Sequence, residues 1–128
     1  MSKTVLVVDD DEEFLSALTP LLHEAGYLTI VITDGNEALR RLQNDYASID
    51  AAIIDLALPD VGGFHIIGTI GKEKKLMPIL AITGAYSDVY LQVAQYLGAQ
   101  MAVQKPRPGE SLVGLVRALE KAMETKPI

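Results

Sequence analysis

The stretch "TVLVVDDDEEF" runs five apolar or β-branched residues straight into Asp9, Asp10 and Asp11, then Glu12 and Glu13. Two carboxylates about 4 Å apart repel by about 4 kcal/mol at an effective dielectric of 20. Such a cluster is either loose and solvated or arranged around something positive. Three more polar residues end apolar runs elsewhere: Asp55 after "AAII", Thr83 after "MPILAI", and Lys105 after "MAVQ". If these run-ends converge, three carboxylates (Asp9, Asp10, Asp55), one hydroxyl and one ammonium share one site.

The elements that must carry them alternate along the chain. Strands are expected at 3–8, 27–33, 50–55, 77–83 and 101–104. Between and after them come helical patterns: 13–26 with Phe14, Leu18, Leu21 and Ala25, a stretch from Asp34 with Ala38, Leu39 and Leu42, and 64–70 with Phe64, Ile67 and Ile70. Two more follow, 87–98 with Val89, Val93 and Leu97 on one face, and 110–123 with Leu112, Leu115, Leu119 and Met123. Asp34, three residues before Glu37, resembles an N-cap signal, and Gly26 and Gly98 are helix stops. Pro20 predicts a kink in the first helix or a later start. Five strand–helix repeats with short connections imply an α/β fold, a doubly wound parallel sheet covered on both faces. In such a sheet the C-terminal strand ends share one edge, where ligands bind at the reversal of strand order. Asp9, Asp10, Asp55, Thr83 and Lys105 all fall on that edge.

The 128 residues suit one domain, 1–128, with a core over about 3–123. Hydrophobic residues at 49% and charged residues at 22% describe an ordinary folded chain. A net charge of −6 argues against direct nucleic-acid binding, and no apolar run reaches membrane-spanning length. The chain has no cysteine and no signal-peptide pattern, which makes a cytoplasmic location the expectation.

The ordered set of strand-end motifs, "DD" at 9–10, "DLALP" at 55–59, Thr83 followed by Gly84 and Ala85, and "KP" at 105–106, is similar to the receiver domain of bacterial two-component response regulators. The resemblance runs from about Lys3 to Met123. It implies a flavodoxin-like (βα)5 domain with strand order 2-1-3-4-5. It further implies that Asp55 accepts a phosphoryl group, that Asp9, Asp10, Asp55 and the backbone carbonyl of Ala57 hold Mg²⁺, that Thr83 bonds the phosphoryl oxygen, and that Lys105 pairs with it. Pro106 would follow a cis bond. The donor would be the phosphohistidine of a sensor histidine kinase or phosphotransfer protein. A target protein or output domain would read the change, with phosphorylation-dependent dimerisation a further implication. Such a domain catalyses its own phosphorylation and slow hydrolysis but is not a turnover enzyme. On this reading the acidic cluster is a metal site.

One departure stands out: many receivers have Tyr or Phe three residues before the lysine, and this chain has Ala102. The signal is therefore expected in the loop after the fourth strand and in the fourth helix, around Tyr86 and Tyr90. Bland readings remain for other residues. Asp11, Glu12 and Glu13 read as a solvated helix N-terminus, His23 and His65 as surface positions, and Tyr86, Tyr90 and Tyr96 as partial packing. Two rival functions differ in class. Asp9-x-Asp11 resembles the first motif of haloacid-dehalogenase-type phosphatases, with Asp9 as nucleophile, although Glu13 stands where that motif has Thr or Val. A receiver-like docking module that takes no phosphate is the other.

Overall fold

The computed structural model describes residues 2–73, 77–84 and 88–124. Its elements are β1 (Thr4–Val8), α1 (Glu12–Glu24), β2 (Leu28–Ile32), α2 (Gly35–Asp45), β3 (Ala51–Asp55), α3 (Gly63–Glu73), β4 (Ile79–Thr83), α4 (Asp88–Leu97), β5 (Met101–Gln104) and α5 (Val113–Glu124), with one 3-10 turn at Tyr46–Ser48. The five strands form a parallel sheet in the order β2-β1-β3-β4-β5. Ala85 and Tyr86 lie outside the described residues.

Strand residues alternate between two faces, and each face meets its own helices. Val5, Val7, Ile53, Leu80 and Ile82 pack against Phe14, Leu18 and Leu22 of α1 and Leu115 and Leu119 of α5. Leu6, Val8, Ala52, Ile54 and Ala81 pack against Leu42 of α2, Ile66, Ile67 and Ile70 of α3, and Ala94 of α4. β3 and β4 are buried at every residue, as strands covered on both faces must be.

Local chemistry fixes the helix starts. Asp11 caps α1, accepting from the Phe14 N–H at 3.2 Å. Asp34 caps α2, accepting from the N–H groups of Asn36 and Glu37. α1 begins at Glu12 and continues through Pro20, so the later start does not occur. Packing of Leu18 and Leu22 on the sheet holds the turn whose backbone bond Pro20 gives up.

Two expectations about faces fail. Ala25, the last position of the expected α1 stripe, is exposed beyond the helix, while Leu15 and Leu22 are buried in its place. In α4, Val89 is 62% and Val93 39% exposed, and Ala94 is the buried residue. The inward side of α4 is Leu91, Ala94 and Leu97, one helical step round from the Val89–Val93 stripe. α3 and α4 approach closely at the end of α4: a Cβ on Gly71 would collide with the Leu97 carbonyl, and one on Gly68 would touch the Leu97 side chain at 3.6 Å. Tyr96, 89% exposed, does not pack at all, whereas Tyr90 meets Phe64 of α3 edge to face, centroids 5.7 Å apart at 77°. His23 and His65 are exposed, as expected.

Candidate functional site

The C-terminal ends of β1, β3, β4 and β5 meet at one edge and bring Asp9, Asp10, Asp55, Thr83 and Lys105 together. Backbone bonds continue the sheet order into the loops: Asp9 N–H donates to Ile32 O at 3.2 Å, Leu56 N–H to Ile82 O at 2.9 Å, and Lys105 N–H to Thr83 O at 2.8 Å. The last of these ties the lysine directly to the hydroxyl residue. Asp9, Asp55 and Thr83 are buried, while Asp10 is exposed at the rim. One carboxylate oxygen from each of Asp9, Asp10 and Asp55 lies within 4.8 Å of the others.

Lys105 is the positive charge inside this cluster. Its Nζ lies 2.9 Å from Asp9 Oδ2, 3.4 Å from Asp11 Oδ2 and 3.9 Å from Asp55 Oδ2. Burial alone pulls the ammonium pKa down, but the facing carboxylates of Asp9, Asp55 and Asp11 outweigh it and the net shift is upward. Asp55 shifts up as well. Desolvation is the main cause, with the charges of Asp9 and Asp10 adding to it, against the Ala57 N–H (3.0 Å to Oδ1) and Lys105, which pull the other way.

Asp9 Oδ2 is a buried oxygen with no well-directed hydrogen bond and only the ion pair to Lys105. A hard divalent cation suits such a set, all oxygen donors of which two are buried. The residues present therefore fit Mg²⁺.

Three neighbours were not read from the sequence as part of this site. Asp11, expected to be merely solvated, caps α1 and also faces Lys105; its own pKa is lowered, chiefly by the Phe14 N–H. The Phe14 ring lies under the ammonium, 4.4 Å from Nζ to centroid. The three-residue spacing of Asp11 and Phe14 marks a first helical turn, but nothing local says that β5 delivers a lysine onto it. Asp60 ties the loop after Asp55 to the start of α2, accepting from Gly35 N–H (3.0 Å), Asn36 N–H (3.0 Å) and Asn36 Nδ2 (3.1 Å). The expected cis bond before Pro106 is absent, since no described peptide bond is cis. The trans form is the lower-energy state of an X–Pro bond.

Asp60 gives a pH-dependent prediction. Its pKa is held down at about 2, mainly by the Asn36 N–H, then by the Asp34 side chain. A lowered folded value means a stabilising contribution that is present above the ordinary 3.8 and lost as pH falls from there toward 2. Asp60→Asn should therefore lower the urea midpoint at neutral pH, and the difference from wild type should shrink as pH falls through that window. A deficit independent of pH would count against this role.

The comparisons agree with the geometry. The family described as the response regulator receiver domain matches residues 5–117. The chain belongs to this family. The receiver domain is 29% identical over 124 residues to the alkaline phosphatase synthesis transcriptional regulatory protein PhoP of Bacillus subtilis, covering 97% of this chain and 51% of that one. It is 32% identical over 127 residues to the DNA-binding response regulator MtrA of Mycolicibacterium smegmatis, covering 99% and 54%. The chain thus spans about half the length of these relatives. Among solved structures it superimposes on the chemotaxis response regulator CheY4 of Vibrio cholerae with a TM-score of 0.80 at 27% identity, covering 95% and 99%. A CheY-like receiver domain protein from Methanospirillum hungatei shares the fold at a TM-score of 0.85 and 23% identity, covering 97% and 95%. Membership of this family takes the place of the phosphatase reading. Locally, Asp11 Oδ1 caps α1, Asp11 Oδ2 faces Lys105, and the Asp11 N–H donates to Asp9 Oδ1 at 2.9 Å.

Among the described residues, no helix is long and apolar enough to cross a membrane.

Proposed function

We propose that this receiver domain is a phosphoryl-accepting switch of a two-component phosphorelay, with Asp55 as the sole covalent site. The observation that carries this reading is the buried Asp55 carboxylate within 3.9 Å of the Lys105 ammonium and beside Asp9 and Asp10. A carboxylate oxygen of Asp55 attacks phosphorus in line. The phosphorus–nitrogen bond of a donor phosphohistidine breaks, and the histidine nitrogen keeps the electron pair. The donor is a sensor histidine kinase or phosphotransfer protein. Lys105 offsets the charge of the incoming group, and Thr83 Oγ1 donates to one of its oxygens. Asp9, Asp10, Asp55 and the Ala57 carbonyl would hold Mg²⁺, which supplies charge neutralisation and polarisation of the phosphoryl group. Transfer of this kind depends on positioning and charge stabilisation more than on covalent help from other residues. We place the domain in the cytoplasm, where such donors act.

The direct test is incubation with acetyl phosphate and Mg²⁺, followed by mass spectrometry of the intact chain and its peptides. One phosphoryl group should appear, on Asp55, and chelation should prevent it. Label on Asp9 would revive the phosphatase chemistry, and no label on any residue would favour the docking module.

Mg²⁺ binding to the folded state alone should also raise the melting temperature. At ten times the dissociation constant the gain is about 1.4 kcal/mol, or about 5 °C for a domain of this size. Asp10→Lys should remove most of that response, because it replaces a rim ligand by a tethered cation. A wild-type melt indifferent to millimolar Mg²⁺ would sink the metal assignment.

The output face is the one formed by α4, β5 and α5. Ala102 is half-buried against the core and has no ring to turn. The Phe64–Tyr90 ring pair offers another route, because Phe64 follows Gly63, which packs on the carbonyl of Asp55 itself. Amide shift changes on adding beryllofluoride should therefore be larger in Gly84 and 88–91 than in 101–104. The reverse pattern would return the signal to β5.

A further inference from the structure

Lys105 is held from two sides. The carboxylates of Asp9 and Asp55 lie on the sheet side, at 2.9 and 3.9 Å. The first turn of α1 supplies the other side: Asp11 Oδ2 at 3.4 Å and the Phe14 ring, 4.4 Å from Nζ to centroid. In this state the ammonium is nearer to Asp11 than to Asp55. Phe14 is itself buried, and its N–H is fixed by the Asp11 cap, so carboxylate and ring are held as one unit. A cation over an aromatic face is attracted by the ring quadrupole, and more strongly when partly shielded from water.

We propose that Asp11 and Phe14 are positioning residues that clasp Lys105 on the α1 side, so that Asp11 competes with the phosphoryl group for the ammonium. This rests on Asp55 being the phosphoryl site, but the clasp itself exists without any ligand. Asp11→Asn is the informative change, because Asn caps a helix as well as Asp does while removing the charge that draws the lysine. Phe14→Leu removes the ring and keeps an apolar side chain.

Two readouts separate the clasp from the phosphoryl chemistry. In metal-free wild-type protein the Lys105 Hε signals should be displaced upfield by the Phe14 ring current, and Phe14→Leu should return them to ordinary lysine positions. Ordinary positions in the wild type would overturn the clasp, whether or not Asp55 takes phosphate. In the second readout, beryllofluoride with Mg²⁺ is titrated and followed by fluorine NMR. Asp11→Asn should tighten binding about two- to fivefold, the range of a partly exposed ion pair. The gain should vanish when Asp11→Asn is made in a Lys105→Met background, as a pairwise coupling requires. Tightening that persists in that background would be a general charge effect and would overturn the competition, as would weaker binding in Asp11→Asn alone. Failure of the wild type to bind beryllofluoride would instead remove the phosphoacceptor reading, leaving the Lys105 signals to decide the clasp.

Discussion

Asp55→Asn should abolish labelling by acetyl phosphate and, in metal-free buffer at neutral pH, should raise the melting temperature. The two effects have one cause. Asp55 is buried beside Asp9 and Asp10, and its pKa lies above the ordinary 3.8 because burial penalises its charge. A raised folded value means that the favourable contribution of the protonated carboxyl is present below 3.8 and is lost as pH rises through the folded value. At neutral pH the folded state carries the full cost of that buried charge. Asn removes the charge at nearly the same volume and leaves an oxygen for the Ala57 N–H, now 3.0 Å from Asp55 Oδ1. Lys105 keeps Asp9 and Asp11 as partners. The expected gain comes from removing a charge whose desolvation is the main cause of the raised pKa. Calorimetry in EDTA should show it at pH 7 and show it shrinking toward pH 4. A variant melting below wild type at pH 7 would mean that the pair with Lys105 outweighs the desolvation.

Gly63→Ala should destabilise the domain by about 2 kcal/mol and slow phosphorylation by at least about tenfold, although Ala is the better helix former by about 1 kcal/mol. Gly63 begins α3, and an added Cβ would strike the Asp55 carbonyl oxygen and come within 2.7 Å of Leu56 Cα. Both are backbone atoms at the end of β3 and cannot turn away as a flexible side chain would. Relief requires moving α3 or moving Asp55, and under the proposed function Asp55 is the residue that would meet phosphorus in line. Gly114→Ala in α5 is the control, because nothing lies within 4 Å of its added Cβ. That variant should gain stability from propensity alone. Urea denaturation and the acetyl phosphate rate measure both. Equal stability of Gly63→Ala and wild type would show that α3 can yield at its start.

The alternation of strand and helix was legible in the sequence because β1, β3 and β4 are continuous apolar runs and the helices carry apolar stripes. The order of strand-end residues was legible for the same reason, as each polar group stops an apolar run. Asp34 was readable as a cap because capping is local chemistry. What escaped depended on tertiary approach. Two apolar stripes share Leu97 on α4, and only the tertiary structure shows that the one containing Leu91 and Ala94 faces inward while Val89 and Val93 stay exposed. The clasp of Asp11 and Phe14 on Lys105 joins residues more than 90 positions apart. Pro20 carried a true local cost, but burial of Leu18 and Leu22 overrides it.

The orientation of α4 has a consequence for local unfolding. Among the described residues of this helix, Ala94 alone is buried, whereas α1 and α5 each bury four residues. Detaching α4 would expose one methyl group and parts of Leu91 and Leu97, while detaching α1 would expose Phe14, Leu15, Leu18 and Leu22 together with the part of the sheet they cover. The free energy of opening is therefore lowest here among the helices that flank the site. The domain thus has a closely packed chemical centre beside an element that is inexpensive to rearrange, which is what the proposed switch would need.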